Sequence, residues 1–126
     1  MNILLVEDDE MLRRSLAFFL TSNKYTVTSF DNGTDAIDHI NSVDPGIDLV
    51  ITDLNLPFAA GQQVIGVVRK KFKDEVPVIV LTSSGVESTE LEVLDLGADE
   101  FVTKPFSPPV LLKRIQKLLA KQENLR

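Results

Sequence analysis

The sequence predicts an α/β fold, a small doubly wound sheet of parallel strands with helices covering both faces. Three observations point there. Short continuous apolar runs such as Ile3-Leu4-Leu5-Val6 and residues 49–52 lack the polar alternation of a half-exposed strand, as expected of strands buried on both faces. Between the runs lie stretches with apolar residues at helical spacing, Leu12, Leu16 and Leu20 being the clearest. Almost no loop is left over. Five strand–helix units joined by right-handed crossovers leave few other architectures.

The first strand ends in the triplet Glu7-Asp8-Asp9, and a helix is expected over residues 9–21, with Asp8 or Asp9 at its N-terminus, where free N–H groups favour anions. Residues 25–30, β-branched and aromatic, read as a strand, and residues 33–40 as a weak helix with Ala36, Ile37 and Ile40 inward. His39 lies on that helix as a surface residue. Pro45-Gly46 is a turn that resets the chain for the central strand, which delivers Asp53 at its end before the chain turns at Leu56-Pro57. Residues 61–72 place Val64, Val67, Val68 and Phe72 on one helical face, with Gly66 costing roughly 1 kcal/mol in the middle. Residues 76–81 form another buried strand with Pro77 at its entry, followed by Thr82-Ser83-Ser84-Gly85. Leu91, Val93 and Leu94 mark a modest helix ending near Gly97. A short strand over 99–102, a loop at Thr103-Lys104-Pro105 and a helix over 110–119 complete the chain. The tail, residues 121–126, is polar and expected to fray.

The 126 residues suit a single domain, 1–126, and a composition of 44% hydrophobic and 25% charged residues is that of an ordinary globular fold. No run approaches the ~20 apolar residues of a membrane span, and the start shows no basic, secretory-type segment. The absence of cysteine removes disulfides, thiolate nucleophiles and cysteine metal sites, and fits a cytoplasmic protein. A formal net charge of -6 argues against nucleic-acid binding by this chain.

Open α/β sheets keep their chemistry at the carboxyl ends of the strands. There this chain collects Asp8 and Asp9, Asp53, Thr82 and Lys104. With the first and third strands adjacent, three carboxylates meet, and left uncompensated one of them would have to hold a proton. A divalent cation relieves this, and all-oxygen ligands favour Mg²⁺, or else Mn²⁺. A hydroxyl at Thr82 opposite a lysine and a metal suits a phosphoryl group in transfer, with Asp53 the central nucleophile.

Four pieces, Leu5-Val6-Glu7-Asp8-Asp9, Thr52-Asp53-Leu54-Asn55-Leu56-Pro57, Leu81-Thr82-Ser83 and Gly97-Ala98-Asp99-Glu100-Phe101-Val102-Thr103-Lys104-Pro105-Phe106, occur in the order and at the strand ends found in the receiver domains of bacterial two-component response regulators. The chain resembles that family from end to end. The resemblance implies a flavodoxin-like (βα)5 sandwich of strand order 2-1-3-4-5. It further implies that Asp53 takes a phosphoryl group from the phosphohistidine of a sensor kinase or histidine phosphotransfer protein. Asp8 and Asp9 would hold Mg²⁺ with Asp53 and the backbone carbonyl of Asn55. Thr82 and Lys104 would bind phosphoryl oxygens, Phe101 would turn inward with Thr82 as the switch, and Lys104–Pro105 would be cis. The positions of Asn55 and Ser84 would tune slow hydrolysis, with no metabolic turnover.

Residues 97–108 look most like receivers of winged-helix transcription regulators, which pair through the fourth helix, fifth strand and fifth helix; Asp99, Glu100 and Arg114 are the candidates for such pairing. The fourth helix departs from the pattern with Glu87, Glu90 and Glu92, so a monomer is expected, at most a weak dimer when phosphorylated. Glu7 adds charge near the metal without needing to bind it. Met11, Arg14 and Phe18 share the outer face of the first helix and suit a kinase or phosphotransfer partner. The end at Arg126 leaves two readings open: a single-domain receiver that signals to another protein, or the receiver part of a longer regulator with a downstream effector domain. The alternative to a phosphorylated switch is a receiver-like interaction module that no longer uses phosphate, for which a substituted Asp53 or Lys104 would be the mark. A flavin or nucleotide protein would need a Gly-rich loop after the first strand, where this chain has acids.

Overall fold

The computed structural model describes residues 1–83 and 86–125, Leu125 by its backbone alone. Among these, strands and helices alternate: β1 (Asn2–Val6), α1 (Glu10–Ser22), β2 (Thr26–Phe30), α2 (Gly33–Ile40), β3 (Leu49–Asp53), α3 (Gly61–Phe72), β4 (Val78–Thr82), α4 (Glu87–Asp95), β5 (Glu100–Thr103) and α5 (Pro108–Leu125). The five strands form one parallel sheet in the order β2-β1-β3-β4-β5, which is the expected doubly wound topology.

Alternation along each strand feeds two cores. Leu4, Val6 and Val50 face α2, α3 and α4, meeting Ile40, Val64 and Val68. Ile3, Leu5 and Ile51 face the other way, against Leu16 and Leu20 of α1 and Leu111 and Ile115 of α5. All five residues of β3, like those of β4, are buried. At about 1.5–3 kcal/mol for each fully buried aliphatic side chain, these two central strands are the most strongly held part of the sheet. At the edge, β2 exposes Thr26, Thr28 and Ser29 to solvent.

The helix expected around Leu91, Val93 and Leu94 is α4, in which only Val93 is buried, whereas Leu91 and Leu94 are exposed. A helix lying over the sheet's edge has only a narrow stripe to bury. The helix expected over 110–119 begins at Pro108 and runs on through the polar tail to Leu125. Proline is tolerated in its first turn, and at the far end Gln122 Nε2 donates to Asp74 O at 2.8 Å, tying the last turns to the α3–β4 connection. His39 is half-buried, its ring 5.5 Å from that of Phe30. No helix among the described residues is long and apolar enough to cross a membrane.

Candidate functional site

Register decides which acids meet. Val6 of β1 lies opposite Thr52 of β3, so the next residues, Glu7 and Asp53, leave the sheet at the same level. On the other side of β3, Asp53 is level with Leu81, which puts Thr82 one step beyond; Thr82 is level with Thr103 of β5, which puts Lys104 next.

Lys104 closes the arrangement. Its Nζ donates to Glu7 Oε1 at 2.5 Å and to Asp53 Oδ2 at 2.7 Å, while its backbone N–H donates to Thr82 O at 2.8 Å. The other oxygen of Asp53, Oδ1, accepts from the amides of Leu54 at 2.6 Å and Asn55 at 3.3 Å. Both carboxylate oxygens are thus oriented, and the residue is 6% exposed. The peptide Lys104–Pro105 is cis. Behind the site, α3 starts so close to β3 that a Cβ on Gly61 would lie 2.1 Å from Asp53 O. Only glycine permits that approach.

Glu7, Asp8 and Asp53 each offer an oxygen within 4.8 Å of the others. The cluster therefore differs from the expected one, because Asp9 is outside it. Asp9 is the N-cap of α1, its Oδ1 accepting from Leu12 N at 3.2 Å, and it is exposed. Its place is taken by Glu7, 1% exposed, which also accepts from Asp9 N at 3.1 Å through Oε2. A signal for this exists in the sequence: Glu7 and Asp53 are each the first acid after a four-residue strand run, Ile3-Leu4-Leu5-Val6 and Leu49-Val50-Ile51-Thr52.

Electrostatics follow from this crowding. Burial pushes the Glu7 carboxyl above its ordinary pKa, helped by the Asp53 charge and opposed by the hydrogen bonds from Lys104 and Asp9 N–H. For Lys104, burial works to lower the pKa, but the hydrogen bonds and charges of Asp53 and Glu7 outweigh it, and the ammonium is held above its ordinary value. One lysine does not neutralise three carboxylates. The oxygen-only donor set and the surplus negative charge are compatible with Mg²⁺.

Thr82 is fully buried at the end of β4. Phe101, opposite Val80, is half-buried against the core layer beneath α2, α3 and α4. Asn55 is exposed, and Ser84 lies outside the described residues. On α1, Met11 is 84% and Phe18 76% exposed, and Arg14 pairs with Glu10 at 2.9 Å in solvent. Asp99 and Glu100 are engaged within the chain: Arg69 Nη2 donates to Asp99 Oδ2 at 2.8 Å and Arg114 Nη1 to Glu100 Oε2 at 3.3 Å.

Fold and site together define a doubly wound domain with an acidic, lysine-closed centre at the carboxyl edge of its sheet. The model of the response regulator receiver domain matches residues 3–116, and the chain belongs to that family. Response regulator RR06 of Streptococcus pneumoniae is 40% identical over 119 residues, 94% of this chain and 53% of that protein. The phosphate regulon transcriptional regulatory protein PhoB of Escherichia coli is 34% identical over 118 residues, 93% of this chain and 51% of that protein. The chain thus spans about half the length of these curated relatives. Among solved structures, the non-phosphorylated receiver domain of HemR from Leptospira biflexa matches with a TM-score of 0.84 at 35% identity, covering 94% of this chain and 93% of that one. TrrA of Thermotoga maritima, solved in complex with Mg²⁺ and beryllium fluoride, matches with a TM-score of 0.81 at 33% identity, covering 93% and 97%. The domain belongs to signalling rather than to metabolism.

Proposed function

We propose that Asp53 is the phosphoacceptor of this receiver and takes its phosphoryl group from the phosphohistidine of a sensor kinase or phosphotransfer protein. The observation that carries the reading is the Lys104 ammonium bonded to both Glu7 and Asp53, which gathers residues 97 and 51 positions away in the chain at one point. Lys104 holds Asp53 Oδ2 in place before reaction. In the transfer, a carboxylate oxygen of Asp53 forms the new O–P bond as the donor's N–P bond breaks, and the imidazole keeps the electron pair. Lys104 and the Thr82 hydroxyl then bind phosphoryl oxygens.

Asp8, Asp53 and the backbone carbonyl of Asn55 would hold Mg²⁺, with Glu7 supplying the charge expected of Asp9; such an ion would supply positive charge against the negative charge of the transferring group. Withdrawal of Thr82 toward the phosphate makes room for Phe101 to turn inward, which alters the surface of α4, β5 and α5. Water removes the phosphoryl group slowly, at a rate that the side chain at position 55 tunes.

An open, largely apolar groove of about 420 Å³ lined by Asp9, Leu12, Lys104, Pro105, Phe106 and Pro108 lies at the site and suits the partner that donates the phosphoryl group, and Met11, Arg14 and Phe18 stand exposed on α1 as further docking residues. The similarity to the transcriptional regulatory protein PhoB supports a cytoplasmic role as the receiver of a transcription regulator, with DNA contacts left to an effector domain. The isolated domain is a monomer, with at most a weak dimer on phosphorylation. Intact-mass measurement after exposure to acetyl phosphate and Mg²⁺ tests the assignment. Wild type gains one phosphoryl group, and Asp53→Asn gains none. Equal uptake by both would remove Asp53 as acceptor.

A further inference from the structure

Phe58 sits in the loop between β3 and α3 in a conformation that its side chain disfavours. Its φ is 70°, and Ala59 N donates across it to Pro57 O at 2.8 Å, a three-residue turn of the rare, strained hand. Bulky residues at positive φ are outliers, whereas glycine or asparagine adopt such angles readily. The ring gains nothing from its own fold, being 89% exposed.

The turn is clamped from outside. Gly33, at the start of α2, donates its N–H to Pro57 O at 3.2 Å, and a Cβ on Gly33 would lie 1.9 Å from Ala59 O. Strain of this kind persists only where the surroundings over-determine it, and it concentrates at functional sites. The result is an aromatic ring directed into solvent from the loop that begins at Asp53.

The location selects the occupant. Asp53 is 6% exposed, so a protein donor has to cover the loops around it to deliver a phosphoryl group, and the β3–α3 loop is one of them. A small phosphodonor has no such need. We propose that Phe58 is a specificity-determining anchor for the phosphohistidine-bearing partner, its ring entering an apolar pocket beside the donor's histidine. This rests on the phosphoacceptor reading above.

The experiment compares wild type, Phe58→Asn and Phe58→Tyr with two donors: acetyl phosphate, and a purified sensor-kinase core, phosphorylated on its histidine, that loads the wild-type chain. Phe58→Asn is expected to lose at least about tenfold in kcat/KM with the kinase, mainly through KM, as expected for an interface anchor. Phe58→Tyr, which keeps the ring, retains most of the wild-type value. Acetyl phosphate loads all three at the same rate, and Phe58→Asn has the more favourable folding equilibrium. Equal kinase kinetics for wild type and Phe58→Asn would overturn the anchor, as would an equal loss with both donors, which would make Phe58 a support of the site. Self-association of wild type that Phe58→Asn abolishes would assign the ring to a second copy instead. Failure of acetyl phosphate to load wild type would strike the phosphoacceptor reading, not Phe58.

Discussion

Replacing Lys104 by methionine tests the electrostatic account of the site most directly. The substitution keeps the length of the stem and removes the ammonium that pairs with Glu7 and Asp53, at 2.5 and 2.7 Å. Both carboxylates are nearly inaccessible, with side chains 1% and 8% exposed, and Lys104 is 20% exposed. Removing one partner of a buried ion pair costs about 3–5 kcal/mol, most of it the penalty of the charge left behind. The partial exposure of Lys104 puts the expected loss at the lower end, about 3 kcal/mol, or a fall in Tm of about 10 °C for a chain of this size. Urea denaturation at pH 7 measures it. Two controls separate charge from packing: the double variant Lys104→Met/Glu7→Gln should recover much of the loss, and millimolar Mg²⁺ should stabilise Lys104→Met more than wild type. A variant within 0.5 kcal/mol of wild type, or a loss that neither control reduces, would refute the argument.

The Glu7 carboxyl, raised above its ordinary pKa by burial, favours the protonated form in the folded state, so its contribution to stability falls as pH rises from the ordinary glutamate range through the raised value. Glu7→Gln should therefore be the more stable protein without metal at pH 7, yet bind Mg²⁺ about 10–100-fold more weakly, as for other groups that support a metal centre; calorimetric titration with and without metal checks both signs. Lys104, also raised, contributes stability that is fully present below its unfolded value near 10.5 and is lost as pH climbs through the folded one. Unfolding free energies across the alkaline range should fall for wild type in that window, and this component should be missing in Lys104→Met. Gly66 is exposed in α3 and a Cβ there would meet nothing within 4 Å, so Gly66→Ala should stabilise by about 1 kcal/mol, read from the urea midpoint at constant m.

The strands were legible because a buried parallel strand has only one way to look, a short apolar run, and the runs ending at Val6, Thr52 and Leu81 all became strands of the sheet. Three of the four side chains that meet at the site, Asp8, Asp53 and Lys104, were legible from the same strand ends. Glu7 was not chosen because a triplet of acids does not show where the strand stops and the helix begins; once α1 starts at Glu10, Asp9 is committed to capping it. The apolar residues of α4 marked the helix without showing which of them is buried, and the buried stripe is one residue wide, Val93. Phe58 was passed over altogether, since nothing in the identity of a phenylalanine announces a positive φ. The turn that holds that angle packs against Gly33 of α2, a partner distant in sequence.

Arg69 fastens the C-terminal end of α4. From α3 its Nε and Nη2 both bond Gly97 O, at 2.9 and 2.7 Å, Nη2 also holds Asp99, and Nη1 bonds the carbonyls of Lys73 and Val76. Asp99 Oδ2 in turn accepts from Val78 N at the foot of β4. At the opposite end, the N-cap Val86 supplies no side-chain hydrogen bond, and along its length α4 buries Val93 alone. A rod fastened at one end and lightly seated along its length is a lever with its fulcrum at Gly97. Were Thr82 to move as proposed above, the travel would be greatest at Glu87 and least at Asp95, which would make the acidic first turn of α4 the part of the surface best placed to report a change at Asp53.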